Sequence, residues 1–187
     1  RNGIASYTLD GSQNIIYAPV ANAGTLYAPN PDFGFNFRYK LSRLHVVVSL
    51  SQEKAIAEDI VLLSLGVLTY NKLQLKLDGP LAGQLHVAED AKKVLLPIRD
   101  DSGAIVRSIN PSKNAVDCGS VYVYPGENPV LALKIQEKNG TFTQKLSLPT
   151  LTPGKEYLVE VTGDVKNVLF NTSLSDWIQG DSGVAKF

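Results

Sequence analysis

Apolar and polar residues alternate along most of this chain, and the alternation predicts β-strands. In the last third, Tyr157, Val159 and Val161 occupy every second position, as the residues on one face of a strand do. A turn expected at Gly163–Asp164 separates them from a second apolar run. The segment therefore predicts two or three half-buried strands, which are not stable alone and need partners from the rest of the chain.

Two further alternating runs lie in the first half of the chain. The first is aromatic and consists of Phe33, Phe35, Phe37 and Tyr39. Burying a ring of this kind contributes about 1.5 to 3 kcal/mol, which favours a core strand over an exposed platform. The second run consists of Leu44, Val46, Val48 and Leu50. Because it begins out of phase with the first, a bulge or turn is expected at residues 41–43.

The remaining pattern predicts one helix and a domain boundary. Ser51 can cap a short helix over Ser51–Asp59, with alanine in its middle. Strands follow at Val61–Leu65 and around Leu75, and then the breaking pair Gly79–Pro80. We place the boundary there, which gives an N-terminal domain over residues 1–78 that is short of the strands of a full sandwich, and a C-terminal domain over residues 79–187.

The second half has the strand spacing of a β-sandwich. Short apolar runs recur from Leu85 onward, and Asn139–Gly140 is a strong signal for a tight hairpin because both residues tolerate positive φ. About seven strands over roughly 100 residues is the size of one sandwich domain. The whole chain is therefore predicted to be all-β, apart from the short helix.

Charge and composition exclude several classes of partner. The chain has 18 basic and 18 acidic residues, so no excess of positive charge indicates binding to nucleic acid. No apolar run approaches the roughly 20 residues that span a bilayer. The chain has no methionine, so we expect Arg1 to be a processed or trimmed end with any signal peptide already removed. A single cysteine, Cys118, excludes an internal disulfide.

No set of residues predicts catalysis or a metal site. His45 and His86 are each expected on the water-facing side of a strand, without carboxylates at ligand spacing, and Cys118 is expected to be a buried inert thiol. The Asp-rich stretches at residues 10–14 and 100–103 are better explained as turns than as calcium loops. Ser51 and Lys54 match an S-x-x-K motif but lack its companion motifs. We predict that the protein is not an enzyme and uses no cofactor.

Three aromatic residues are candidates for other roles. Tyr122 and Tyr124 alternate with Val121 and Val123, so one of these pairs faces away from its own core and offers a surface contact. Trp177 precedes a glycine-containing end segment, where a large ring can close the bottom of a sandwich core. Burial is the usual state of tryptophan, so a ligand-stacking role is the less favoured alternative.

Three separated pieces of the sequence resemble the bacterial fimbrillins, and they occur in the right order. They are FNFRYKLSRLHVVV, VYVYPG, and LTPGKEYLVEV followed by LSDWIQG. The positions that carry the pattern are Phe37, Leu41, Tyr157 and Trp177. Tyr39 stands where that family commonly has histidine. The resemblance implies two tandem transthyretin-like Greek-key β-sandwich domains.

The resemblance also implies a function. Fimbrillins are structural or adhesive subunits of surface pili on the outer membrane, and they assemble by strand exchange with other pilus subunits. After cleavage next to an arginine, an extended segment of the next subunit fills a groove. Here the segment Trp177–Phe187 is the candidate donor. Partners implied are other pilus subunits and a host protein or glycan.

A carbohydrate-binding surface module is the alternative from another functional class. It requires two or three coplanar exposed aromatic rings beside amide or carboxylate groups. Tyr122, Tyr124 and Trp177 are the residues that decide between the two hypotheses.

Overall fold

The computed structural model describes residues 3–19, 24–25, 27–29, 34–50, 60–111, 114–137, 140–164, 169–176 and 184–185. Within these ranges all regular secondary structure is β, which confirms the predicted class. In chain order the strands are β1 (Ile4–Thr8), β2 (Ile16–Tyr17), β3 (Gly24–Thr25), β4 (Ala28–Pro29), β5 (Phe35–Asn36), β6 (Arg38–Tyr39), β7 (Ser42–Leu50), β8 (Val61–Tyr70), β9 (Lys72–Lys76), β10 (Leu85–Val87), β11 (Lys93–Pro97), β12 (Arg107–Ile109), β13 (Val116–Val123), β14 (Val130–Glu137), β15 (Gly140–Ser147), β16 (Glu156–Asp164), β17 (Leu169–Asp176) and β18 (Val184–Ala185). The predicted helix Ser51–Asp59 lies outside the described residues.

Two large sheets share one core. The front sheet has the order β13-β7-β16-β17, and the back sheet has the order β11-β8-β14-β15, with β12 pairing to β8 as well. The central pair of the front sheet, β7 and β16, is parallel, with Arg43 opposite Glu156 and Leu50 opposite Gly163. Most other neighbours are antiparallel hairpins or crossovers.

The core lies between the inward faces of these sheets, as the alternation predicts. The inward residues of β7, β14 and β16 are fully buried and include Leu44, Val46, Val48, Leu131, Leu133, Ile135, Val159 and Val161. Leu41 and Tyr157, two positions of the sequence pattern, are also buried. The Tyr157 hydroxyl accepts a hydrogen bond from the Thr152 amide at 2.9 Å. Each such side chain contributes about 1.5 to 3 kcal/mol through burial, so this layer accounts for most of the stability.

A third, smaller sheet continues the back sheet. Its order is β1-β9-β10, and β9 follows β8 after the single residue Asn71. The segment between β9 and β10 contains Gly79 and Pro80, and the Ala82 amide donates to the Gly79 carbonyl at 3.1 Å in a turn. Strands from both sides of residue 78 pair in the front and back sheets. The two halves therefore share both sheets, and Gly79–Pro80 marks a turn within the fold.

The aromatic run does not form the predicted core strand. Phe35 and Tyr39 belong to two separate two-residue strands, β5 and β6, which pair with β18 and β2. Phe37 is 40% exposed and Tyr39 is 44% exposed. Alternation places side chains on one face, but it does not supply a layer to cover that face. Phe33 lies outside the described residues.

Two turn predictions have different outcomes. The hairpin expected around Asn139–Gly140 forms between β14 and β15, but Gly140 pairs opposite Glu137 and is the first residue of β15, whereas it was predicted as a turn residue. The turn expected at Gly163–Asp164 is wrong. Gly163 is buried inside β16, where it pairs with both Leu50 and Phe170. A glycine in a strand marks close packing as readily as it marks a turn.

Candidate assembly surfaces

The open edge of β10 borders an apolar groove, which we name the β10 groove. It has a volume of about 470 Å³. It runs between the β10 strand and two loops on the opposite wall, and its lining consists of Lys40, Gly83–Leu85, His86, Tyr124–Gly126, Thr150, Leu151 and Pro153. The groove therefore combines a strand edge with apolar walls.

Hydrogen bonding fixes which backbone groups of β10 face the groove. The Ala88 amide donates to Lys72 at 3.1 Å, and the Gln84 carbonyl accepts from Lys76 at 3.0 Å. The even-numbered residues at β10 therefore bond to β9. Because backbone groups point alternately to the two sides of an antiparallel strand, the amides and carbonyls of Leu85 and Val87 point to the opposite edge. Among the described strands, β10 has β9 as its only sheet neighbour. The edge is available for another strand.

The groove wall includes one of the two predicted contact residues. The Tyr124 side chain is half-buried there, and burial, followed by the nearby Glu127 carboxylate, raises its pKa above the usual value. A Cβ at Gly126 would overlap the outer end of the Tyr124 ring, so a larger residue there would have to displace the ring. The Nε2 atom of His86 is buried and accepts or donates no hydrogen bond to any described residue. It is a polar group that an occupant of the groove could satisfy.

The second predicted contact residue, Tyr122, lines a different cleft. Val121 and Val123 are buried, so the tyrosines are the pair that faces away from the core. The Arg43 guanidinium lies 5.9 Å from the centre of the Tyr122 ring. That cleft has a volume of about 230 Å³ and also contains Asn14, Tyr39, Arg43 and Glu156. The two tyrosines therefore do not form one platform.

Arg43 is fixed by several contacts in that cleft. Its Nε donates to Ser120 Oγ at 3.1 Å, and its Nη1 lies 3.5 Å from Glu156 Oε1. The guanidinium is held against the Tyr122 ring, where a cation–π contact contributes about 0.5 to 1 kcal/mol at an exposed site. Because the cation lies over this ring, a sugar stacking there has to displace it.

The histidines and the cysteine do not converge on a reactive centre. His45 was expected to face water, but it is only 7% exposed, and its Nε2 lies 3.1 Å from Asp117 Oδ1. Its central strand β7 is flanked on both sides, which shields the outward side chain. Burial, and then the charge of Asp117, raises the pKa of the Cys118 thiol to about 12. The thiol is therefore inert, as predicted.

A β-bulge beside Cys118 depends on glycine. The register of β13 against β7 shifts between Asp117 and Ser120. Gly119 adopts φ +84°, and a Cβ there would overlap the carbonyl group of Arg99. Asp117 Oδ1 accepts the Gly119 amide at 2.7 Å, which stabilises the bulge.

The Asp-rich stretches are turns, as predicted. Asp10 Oδ1 accepts the amide and hydroxyl of Ser12 at 2.9 and 2.6 Å, and Asp100 does the same with Ser102. These bonds, the hydroxyl first, lower the pKa of both carboxyl groups. In the part of the chain that the structure describes, no three His, Cys, Asp or Glu side chains are grouped as metal ligands, and no helix could span a membrane.

Two predicted features lie largely beyond the described ranges. Trp177 is outside them, so its role stays a prediction. Of the candidate donor segment Trp177–Phe187, only β18 is described, and it pairs with β5 through Val184 opposite Asn36. The sequence did not indicate the β10 groove. The sequence showed only the short stretch Leu85–Val87, with His86 between two apolar residues, after the Gly79–Pro80 turn.

Structural comparison relates the chain to proteins of Bacteroides. A "putative cell adhesion protein" from Bacteroides uniformis has a TM-score of 0.58 at 12% identity, covering 95% of this chain and 67% of that chain. A fimbrial protein from Bacteroides vulgatus has a TM-score of 0.49 at 18% identity, covering 77% of this chain and 56% of that one. This chain thus spans roughly three-fifths of the length of these structures. No protein-family model and no curated protein matches the sequence.

The first of these likenesses extends over nearly the whole chain, so the two proteins share a fold. At 12% identity this likeness shows the fold alone.

Proposed function

We propose that this chain is a structural or adhesive subunit of a bacterial surface pilus that joins other pilus subunits by strand exchange. A shared fold with the Bacteroides uniformis protein and the ordered fimbrillin motifs support the proposal. The same proposal places the protein outside the cell, in a pilus associated with the outer membrane. It also includes a transthyretin-like arrangement of the described sandwich and contact with a host protein or glycan.

The observation that carries the proposal is the open β10 edge beside its groove. An added strand gains backbone hydrogen bonds from the outward groups of Leu85 and Val87. Its alternate side chains meet an apolar wall in which Leu151 and Pro125 are buried. Backbone bonds supply affinity in this mode of recognition, and the side-chain pockets supply specificity.

A proline substitution separates strand addition from folding. Val87→Pro removes the Val87 N–H, which points away from β9. The variant therefore loses a hydrogen-bond donor that has no partner among the described strands. Val87→Ala is the control for the lost valine methyl groups, because it removes both of them and keeps the amide. The ligand is a fluorescent peptide of residues 177–187, titrated into the chain that lacks residues 180–187.

We expect the peptide to bind the parent protein and the Val87→Ala variant. Val87→Pro should weaken binding at least about tenfold, since one hydrogen bond contributes about 1 kcal/mol and the ring adds a steric clash. Fluorescence anisotropy gives the binding constants, and thermal unfolding verifies the fold. Equal binding by the proline and alanine variants would exclude β10 as the acceptor. Absence of binding throughout would exclude this segment as the donor.

The proposal includes a non-enzymatic role. The raised pKa of the buried Cys118 keeps its thiol protonated, which disfavours a cysteine nucleophile. The carbohydrate-binding alternative retains one supporting feature, the cleft that contains Tyr122, Asn14 and Glu156. A glycan array with Tyr122→Ala and Tyr124→Ala tests whether this cleft binds a glycan, and the peptide titration above tests strand exchange separately. Glycan binding lost only in Tyr122→Ala would support the alternative.

A further inference from the structure

The outer face of the back sheet is basic. Lys134 projects outward between the buried Leu133 and Ile135, and Lys145 lies opposite Ala132 on the neighbouring strand. Arg107 and Lys93 add two more exposed cations along the other edge. Among the described outward side chains of these strands there is no carboxylate. Lys93 alone has an acidic partner, the loop residue Glu127, at 2.9 Å.

The same face has an apolar centre. Leu95 is 51% exposed and Ile105 is 39% exposed. Together with Leu63, Pro97 and Val106 they line a cleft of about 420 Å³, which Arg107 and Lys134 flank. A patch of exposed apolar side chains rimmed by charged ones is typical of an interaction surface. We call this surface the back face.

The outer face of the front sheet carries the opposite charge. Asp117, Glu156 and Glu160 project outward from β13 and β16, and Arg43 is the one cation among the described outward side chains of the sheet. The Asp117 side chain is 64% exposed. Half-buried Val47 and Leu158 lie between these charges. We call this surface the front face.

We propose that copies of this chain stack through these surfaces, with the back face of one copy on the front face of the next. The chain has no net charge, yet it separates its charges onto opposite sides of one sandwich. Two copies in this orientation bring cations over carboxylates and the Leu95–Ile105 patch over Val47 and Leu158. Complementary potentials of this kind fix orientation and exclude the like-charged pairing of two back faces.

The size of the two faces predicts a weak contact, and the difference between them predicts an assembly that does not close. Four strands spaced about 4.8 Å apart, with eight residues at about 3.3 Å each, give a projected area of about 500 Å² per face. That is below the roughly 800 Å² per partner of a standard stable complex, so association should be reversible. Because the two faces differ, stacking does not close into a dimer and continues as a row of copies. It would bring pilus-forming chains side by side without using the β10 groove.

Charge exchange between the faces tests the proposal on the full-length chain. Lys134→Glu/Lys145→Glu removes the net positive charge of the back face, and Glu160→Lys/Thr162→Lys reverses the charge of the front face, all at exposed positions. Arg38→Glu/Lys92→Glu is the control, with two exposed reversals that lie on neither face. Sedimentation equilibrium up to about 1 mM protein, at about 20 mM and 500 mM salt, measures association.

The wild-type mass should rise with concentration at low salt, and its association constant should fall at least about tenfold at high salt. Each face variant should lose at least about tenfold, a mixture of the two should recover association, and the control should match wild type. A wild-type chain that stays monomeric would overturn the proposal, as would a control that weakens equally or a mixture that does not recover. Val87→Pro should leave this association unchanged, so failure of strand exchange and failure of stacking are distinguishable.

Discussion

Two neighbouring stretches of this chain have the same alternating pattern and opposite structural outcomes. Leu44, Val46 and Val48 of β7 are fully buried, whereas Phe37 and Tyr39, a few residues earlier, are 40% and 44% exposed. The difference lies in the neighbours. Strand β7 has β13 on one side, β16 on the other and the back sheet across the core, while among the described strands β6 pairs only with the two residues of β2. Alternation defines a face, and burial requires a second layer.

The largest expected effect comes from a substitution in β7, the buried one of the two stretches. Leu44→Ala removes a fully buried side chain from the central strand of the front sheet. We expect a loss of about 2 to 5 kcal/mol in the free energy of unfolding, because the cavity is closed in by strands on three sides. Urea unfolding followed by circular dichroism gives the value. A loss below about 1 kcal/mol would mean that β7 is not a core strand.

The next largest effect concerns the β-bulge of β13, the strand that lies beside β7. Gly119→Ala forces a side chain into the space of the Arg99 carbonyl at a positive φ. We expect a loss of about 1 to 3 kcal/mol, since the strained conformation and the overlap act together. Gly103→Ala is the matched control, because Gly103 also has positive φ but its Cβ would meet nothing within 4 Å. Equal losses in the two variants would assign the whole cost to φ and none to the overlap.

The sequence predicted local features well and long-range ones poorly. It indicated the all-β class, the β7 alternation and the β14–β15 hairpin, because each depends on residues close together in the chain. It did not indicate that β7 pairs in parallel with β16, where Arg43 and Glu156 are 113 positions apart. Alternation in one strand holds no information about which strand lies beside it. The predicted domain boundary at Gly79–Pro80 rests on a local turn signal of the same kind, and it stays a prediction.

The candidate sites show the same limit. The alternation predicted that one of the pairs Val121/Val123 and Tyr122/Tyr124 faces away from the core, and the valines are the buried pair while the tyrosines are half-buried. The surface-contact role of the tyrosines stays a prediction. The shielding of His45 by the strands beside it was missed, since it results from its central position in the sheet. The β10 groove and the opposite charges of the two faces arise only when strands distant in sequence are assembled. A single residue pattern cannot indicate surfaces of that kind.

The smallest expected effect completes the comparison. Phe37→Ala removes an aromatic ring that contacts Phe35, with ring centroids 5.9 Å apart. We expect the free energy of unfolding to fall by no more than about 1 kcal/mol, because much of the ring is already in water. Removing a buried phenylalanine costs about 3 to 5 kcal/mol. Urea unfolding measured beside Leu44→Ala gives the ratio of the two losses. A loss as large as that of Leu44→Ala would mean that a second layer covers the aromatic run in solution. Phe37 would then be a buried residue in solution, as the alternation of the sequence predicted.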